Sequence, residues 1–108
     1  MNKSTKLSYL KTMLFGSAES TNHDAELSVY LQLTGYEILN WRYSLVPDKR
    51  PEAVPTEYEV TQIMACAAGY GHKGAPDQVT HSENGVARTW KHADMVAYVH
   101  SHVTIVAG

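Results

Sequence analysis

The side chains here with the widest chemical repertoire are six histidines, His23, His72, His81, His92, His100 and His102, and one cysteine, Cys66. A neutral imidazole is a common metal ligand and a base near neutral pH, and a thiolate is both a nucleophile and a soft ligand. Either chemistry needs company: a zinc site takes three or four ligands, typically at short fixed spacings. No HExxH pattern, Cys/His pairing or carboxylate trio accompanies these residues. His100 and His102 would face one way only on extended backbone, where alternate side chains share a side. Cys66 lies among Ala65, Ala68 and Gly69 with no neighbouring cation to activate it, and reads as a buried structural thiol. Gly69, Gly71 and Gly74 match the glycine spacing of a dinucleotide fingerprint but follow a helix, not a strand, and lack the βαβ context. The residues predict no metal, no cofactor and no enzymatic role; a histidine-dependent metalloenzyme is the least supported alternative.

The elements that would position these residues are mostly helical. Residues 22–43 form the longest periodic stretch. On a helix, Leu27, Tyr30, Leu31, Ile38 and Trp41 make one apolar stripe. Val29, Leu33, Tyr36, Leu39 and Tyr43 make a second, roughly opposite. Glu26 and Glu37 lie along one polar edge; Ser28, Gly35 and Arg42 lie along the other. Two stripes predict a sandwiched helix, held between neighbouring helices or between its own core and another subunit. Gly35 in mid-helix costs about 1 kcal/mol relative to alanine. Thr21 with Asp24 resembles a capping box at its start.

Before it, residues 4–14 read as a short amphipathic helix with Ser4 as N-cap, Leu7, Leu10 and Leu14 on one face, and Lys3, Lys6 and Lys11 as a solvated face; Phe15-Gly16 stops it. After it, residues 44–54, with Pro47 and Pro51, form a connector. Pro55 suits the first turn of a third helix running to about Tyr70. There Val60, Ile63, Met64 and Ala67 make a stripe, while Ala65, Cys66, Ala68 and Gly69 are small enough for close approach to the long helix.

Residues 78–90 change character. Asn84-Gly85 is a strong type I′ turn signal between β-favouring residues, which predicts a hairpin. An isolated hairpin is marginal in water and must lie on the helices or a partner. Residues 93–102 fit a last short helix with Met95, Val96 and Val99 inward; residues 103–108 are an apolar tail with no helix left to cover it. The fold class expected is mainly α: a small bundle of three main helices, a β-hairpin, and a short C-terminal helix or tail, in a single domain spanning the 108 residues.

With 44% hydrophobic and 19% charged residues, the composition is that of a globular chain. A net charge of -2 argues against tight binding to nucleic-acid phosphates. A lone cysteine excludes an intrachain disulfide and fits a reducing compartment. No signal peptide or membrane-length apolar run is evident, so the expected setting is soluble and cytosolic.

In order along the chain, Lys6-Leu7-x-x-Leu10-Lys11, Ile38-Leu39-Asn40-x-Arg42-Tyr43, Val54-Pro55-x-x-Tyr58-Glu59 and Ser82-Glu83-Asn84-Gly85-Val86-Ala87-Arg88-Thr89 together resemble the head-tail connector (adaptor) proteins of tailed bacteriophages, the last motif being the most specific. The stretch from Met95 to His102 departs from that pattern in its histidines. The resemblance implies a structural adaptor: a homo-oligomeric, twelvefold ring on the portal protein, extending the DNA channel and meeting the next neck protein, a stopper or tail terminator. DNA would pass without specific binding, which suits the unpatterned, slightly acidic charge. Synthesis in the host cytoplasm and residence in the virion neck follow. The subunit and partner contacts expected are Val29, Leu33, Tyr36, Tyr43, Ser82, Glu83, Asn84, Gly85, Arg88, Trp90, Val103, Ile105 and Val106. A small helical protein-binding or regulatory module without a ring is the competing expectation.

Overall fold

Asn2 begins the first helix. Its side-chain oxygen accepts from the Thr5 backbone N–H at 2.8 Å, satisfying one of the donors a helix start leaves open. The structure, a computed structural model, describes residues 1–70 and 90–107. Four helices carry it: α1 (Lys3–Phe15), α2 (Asp24–Arg42), α3 (Glu59–Tyr70) and α4 (His92–His102). Single 3₁₀ turns at Pro47–Lys49 and Thr56–Tyr58 punctuate the link from α2 to α3. The protein is mainly α, as expected. The hairpin read over residues 78–90 lies, but for Trp90, outside the described residues.

Cross-contacts fix the helix directions. Lys6, near the start of α1, meets Gln62 near the start of α3, while Phe15 and Tyr70 at their far ends are 6.3 Å apart. His23, capping α2, lies beside Tyr70, and Arg42 at its other end reaches Tyr58. The Lys91 N–H donates to the Gly69 carbonyl at 2.8 Å, and the Trp41 indole N–H donates to the Val103 carbonyl at 2.8 Å. Helices α1 and α3 therefore run one way and α2 and α4 the other, an up-down-up-down bundle.

The core has two parts. Leu10, Leu27, Leu31, Ile63, Cys66 and Tyr70 fill the end shared by α1, α2 and α3; Ile38, Ala65, Met95, Val99 and Val103 fill the end shared by α2, α3 and α4. Trp90 packs against both and stacks on Tyr30 with ring centroids 4.1 Å apart.

Several sequence expectations are corrected. Asn2, not Ser4, caps α1: its side chain accepts from the Thr5 N–H, so the cap lies two residues earlier. No capping box forms at Thr21: His23 occupies the N-cap without a side-chain bond, and Asp24 pairs with Lys11 instead, at 2.9 Å. Lys6 and Lys11 are not a solvated face. The Lys11 side chain is 6% exposed as a residue, its ammonium bonded to the Ser20 carbonyl at 2.9 Å as well as to Asp24. The Lys6 ammonium donates to Gln62 Oε1 and lies 3.8 Å from Glu59. Their aliphatic stems cover core while the charged heads find acceptors at its edge. On α3, Val60 and Met64 are exposed; Ile63, Ala65, Cys66 and Gly69 face inward.

The small residues of α3 serve two neighbours: Cys66 packs toward α2, as expected, while Gly69 faces α4. At Gly69 an added methyl would lie 2.7 Å from the Trp90 ring and 3.1 Å from Met95 Cβ, so the tightest approach is to α4 and its lead-in. Where α2 meets α3, the open space belongs to Gly35, whose methyl would press on Gln62 at 3.0 Å. Gln62 spends its amide there, donating to the Leu31 carbonyl at 2.8 Å. Overpacking a filled site typically costs about 1–3 kcal/mol. Gly69→Ala should lose stability in that range despite its gain in helix propensity, as read by urea denaturation; a variant as stable as the parent would show that Trp90 does not seat there.

Candidate subunit interface

The histidines are dispersed by the fold. His23 stacks on Phe15 at 5.1 Å with Nδ1 3.6 Å from Glu26. His100 lies flat on Trp41 at 3.7 Å and hydrogen-bonds Glu37 at 2.8 Å, tying α4 to α2. His102 stacks on Tyr98 and donates from Nδ1 to the Tyr98 carbonyl at 2.9 Å. His100 and His102 are both in α4, where residues two apart diverge by about 160°. His92 is exposed near Trp90; His72 and His81 lie outside the described residues. Among the described residues no three histidine, cysteine or acidic side chains converge on a metal-sized site. Nor is any helix among them long and apolar enough to cross a membrane.

Cys66 is fully buried between α2 and α3. Burial pushes its thiol up to about 12 from an ordinary 9.0, partly offset by a hydrogen bond from Thr34. Its thiolate is strongly disfavoured, the reverse of what nucleophilic chemistry requires.

The long helix resolves the two-stripe pattern differently. Leu27, Leu31, Thr34, Gly35, Ile38 and Leu39 are buried, a face centred between the first stripe and the Gly35 edge. Leu39 thus leaves the second stripe for the core, and Gly35 leaves the polar edge. The remaining members point away from the bundle: Val29 is 53% exposed, Leu33 37% and Tyr36 48%. Gln32 Nε2 donates to the Tyr36 hydroxyl at 2.8 Å, holding the ring along the helix surface. Tyr43, at the helix C-cap, is half-buried with the Arg42 guanidinium 5.7 Å from its ring. Three of the expected contact residues therefore form one outward ridge.

The others do not join it. Trp90 is half-buried against the protein's own core. Val103 is 3% exposed within it, which corrects the expectation of an uncovered tail. The chain leaving α4 turns along the end of α2, where Trp41 and Arg42 supply a donor and an acceptor: the Val106 N–H donates to the Arg42 carbonyl at 2.8 Å, and Arg42 Nη1 donates to the Thr104 carbonyl at 2.9 Å. Ile105 is exposed and Val106 half-buried. Ser82, Glu83, Asn84, Gly85 and Arg88 lie outside the described residues.

Sequence reading missed a second apolar surface. On α3, Met64 projects about 160° from Gln62, away from α2, and floors a groove of about 630 Å³ whose sides are Met13 of α1 and Ala97 and Tyr98 of α4. The signal lies in Val60 and Met64, which share a face of α3 with Ala67 and Ala68.

Compared with models of known protein families, with curated proteins and with solved structures, the chain matches none.

Two measurements check this assignment of inside and outside. Val103→Ala removes two buried methyl groups and should cost about 1–3 kcal/mol of stability; no change in the thermal midpoint would return the tail to solvent. The thiol gives a pH test. Because Cys66 holds its proton in the folded state beyond 9.0, its contribution is complete below that pH and is lost as the pH rises from 9.0 toward about 12. In that window the unfolded chain binds fewer protons, so stability should fall by about 1.4 kcal/mol per pH unit from this group alone. The slope should be shallower by that amount in Cys66→Ala. Equal slopes would place the thiol in water.

Proposed function

We propose that this protein is a structural subunit that assembles with copies of itself through the outward ridge of α2, as the ring-forming adaptor of a tailed-phage neck. One observation carries the reading: the longest helix seats one face in the core and presents Val29, Leu33 and Tyr36 together on the other. Burying a side chain of this kind is worth roughly 1.5–3 kcal/mol each, and clustered apolar exposure of this sort marks an association surface. The order of motifs that resembles the head-tail connectors supplies the setting. In it the ring rests on the portal, extends the DNA channel and meets a stopper or tail terminator. The hairpin read at residues 78–90 and the exposed Ile105 would add contacts to neighbours.

The ridge makes assembly and folding separable. Leu33→Ser with Tyr36→Ser should leave helical circular dichroism and the unfolding midpoint close to the parent's while removing ring formation on a portal protein, seen by negative-stain imaging. Rings of normal appearance from the double variant would overturn the role given to the ridge.

A further inference from the structure

The shallow groove between α1, α3 and α4 has a mostly apolar lining, and its occupant can be argued from the same chain. Its outer wall on α4 is formed by Asp94, Ala97, Tyr98 and Ser101, an i, i+3, i+4, i+7 row about 10 Å long. The α2 ridge of Val29, Leu33 and Tyr36 is an i, i+4, i+7 row of the same length. The groove carries small side chains, Ala67, Ala68 and Ala97, set between the larger Met13, Met64 and Tyr98, and the ridge carries large ones. This is the knob-and-hole relation that lets two helices pack closely.

Charge matches as well. Lys3 lines a depression on one flank of the ridge with Val29 and Gln32, and Asp94 stands at one end of the groove. Both are exposed, and neither has an ion-pair partner among the described residues. With the ridge seated in the groove, the Lys3 ammonium and the Asp94 carboxylate lie on the facing surfaces of the two copies.

The two surfaces cannot meet within one molecule. The ridge faces away from α3, and the groove is floored by the side of α3 that faces away from α2. We infer that the groove receives the α2 ridge of a second copy, giving a heterologous, head-to-tail contact that leaves one free ridge and one free groove on every pair. This rests on the ring reading above and names which surfaces meet.

Paired cysteines test it at low affinity, because oxidation traps a transient neighbour. Protein carrying Leu33→Cys is mixed in equal amounts with protein carrying Ala97→Cys and oxidised; both positions are exposed, and Cys66 stays buried. The expected product is a dimer linked between positions 33 and 97, in several-fold excess over dimers linked 33 to 33 and over a control mixture with Asp48→Cys in place of Ala97→Cys. Charge reversal gives a second reading: Lys3→Asp or Asp94→Lys alone should reduce the 33-to-97 product, and the two reversals placed on the opposing partners should restore it. A dominant 33-to-33 link, meaning ridge on ridge, or yields no better than the control would overturn the pairing. Portal-bound rings without the 33-to-97 link would sink the pairing and leave the ring reading standing. The link without portal-bound rings would do the reverse.

Discussion

Three helices converge on α3, and the distance at which they can do so decides most of what surrounds it. The inward side of α3 is Ala65, Cys66 and Gly69 together with Ile63 and Gln62. At Gly69 the Trp90 ring occupies the space of a missing side chain, and the adjacent Lys91 N–H reaches the Gly69 carbonyl. That contact places the entry to α4. With the entry placed, Met95 and Val99 fall on the α2–α3 seam, and the chain emerging from α4 reaches Trp41 and Arg42. Trp90 then stacks on Tyr30 and closes the gap between the two core clusters. Dispersion contacts of this kind are individually small, so their sum depends on the spacing being kept.

A second constraint works in polar terms. Bringing α1 onto α2 and α3 places Lys6 and Lys11 over the core, and each charged head must find acceptors there. Lys11 bridges the Ser20 carbonyl and Asp24, which fixes the loop between α1 and α2; Lys6 reaches Gln62, whose own amide holds the Leu31 carbonyl. Cations that a helical wheel assigns to solvent are thereby drawn inward. The outward faces of α2 and α3 carry the exposed apolar side chains Val29, Leu33, Tyr36, Val60 and Met64.

The helices were legible because their buried residues recur at the helical period and their ends carry recognisable signals, such as Gly16 with its positive φ of 80° after α1. Which side of each helix faces inward was less so. Leu39 and Val29 looked alike as members of one stripe, yet one is core and the other solvent, since a helix wedged between two neighbours buries an arc wider than one stripe. Val60 and Met64 share an apolar stripe with Ile63 yet are exposed where Ile63 is buried, because apolar periodicity reports a face, not what covers it. The destinations of Lys6 and Lys11 were not legible at all: a four-carbon stem lets the head reach acceptors across a loop, as Lys11 does at Ser20 and Asp24, or more than fifty residues away, as Lys6 does at Gln62, and no helical pattern encodes such a partner. The tail was misread for a related reason. Its cover is the end of α2, some sixty residues earlier, reached through Trp41 and Arg42.

The two exposed surfaces are unlike each other, one a ridge of large side chains and one a groove in which Ala67, Ala68 and Ala97 are set among Met13, Met64 and Tyr98, and they face in opposite directions. A self-complementary patch closes as a two-fold pair and stops there; two unlike faces that fit one another repeat, and whether the repeat closes into a ring depends on the angle between them. Here that angle is not set by a flexible joint. It is set by how α2 sits on α3, through Gly35 against Gln62 and Val54, and by how α4 sits on α3, through Gly69 against Trp90. A close-packed core deforms little under load, so in the proposed assembly the curvature of the ring is a property of those two glycine contacts. The residues that fix the fold would then also fix the number of copies a closed circle requires, without themselves touching any neighbour.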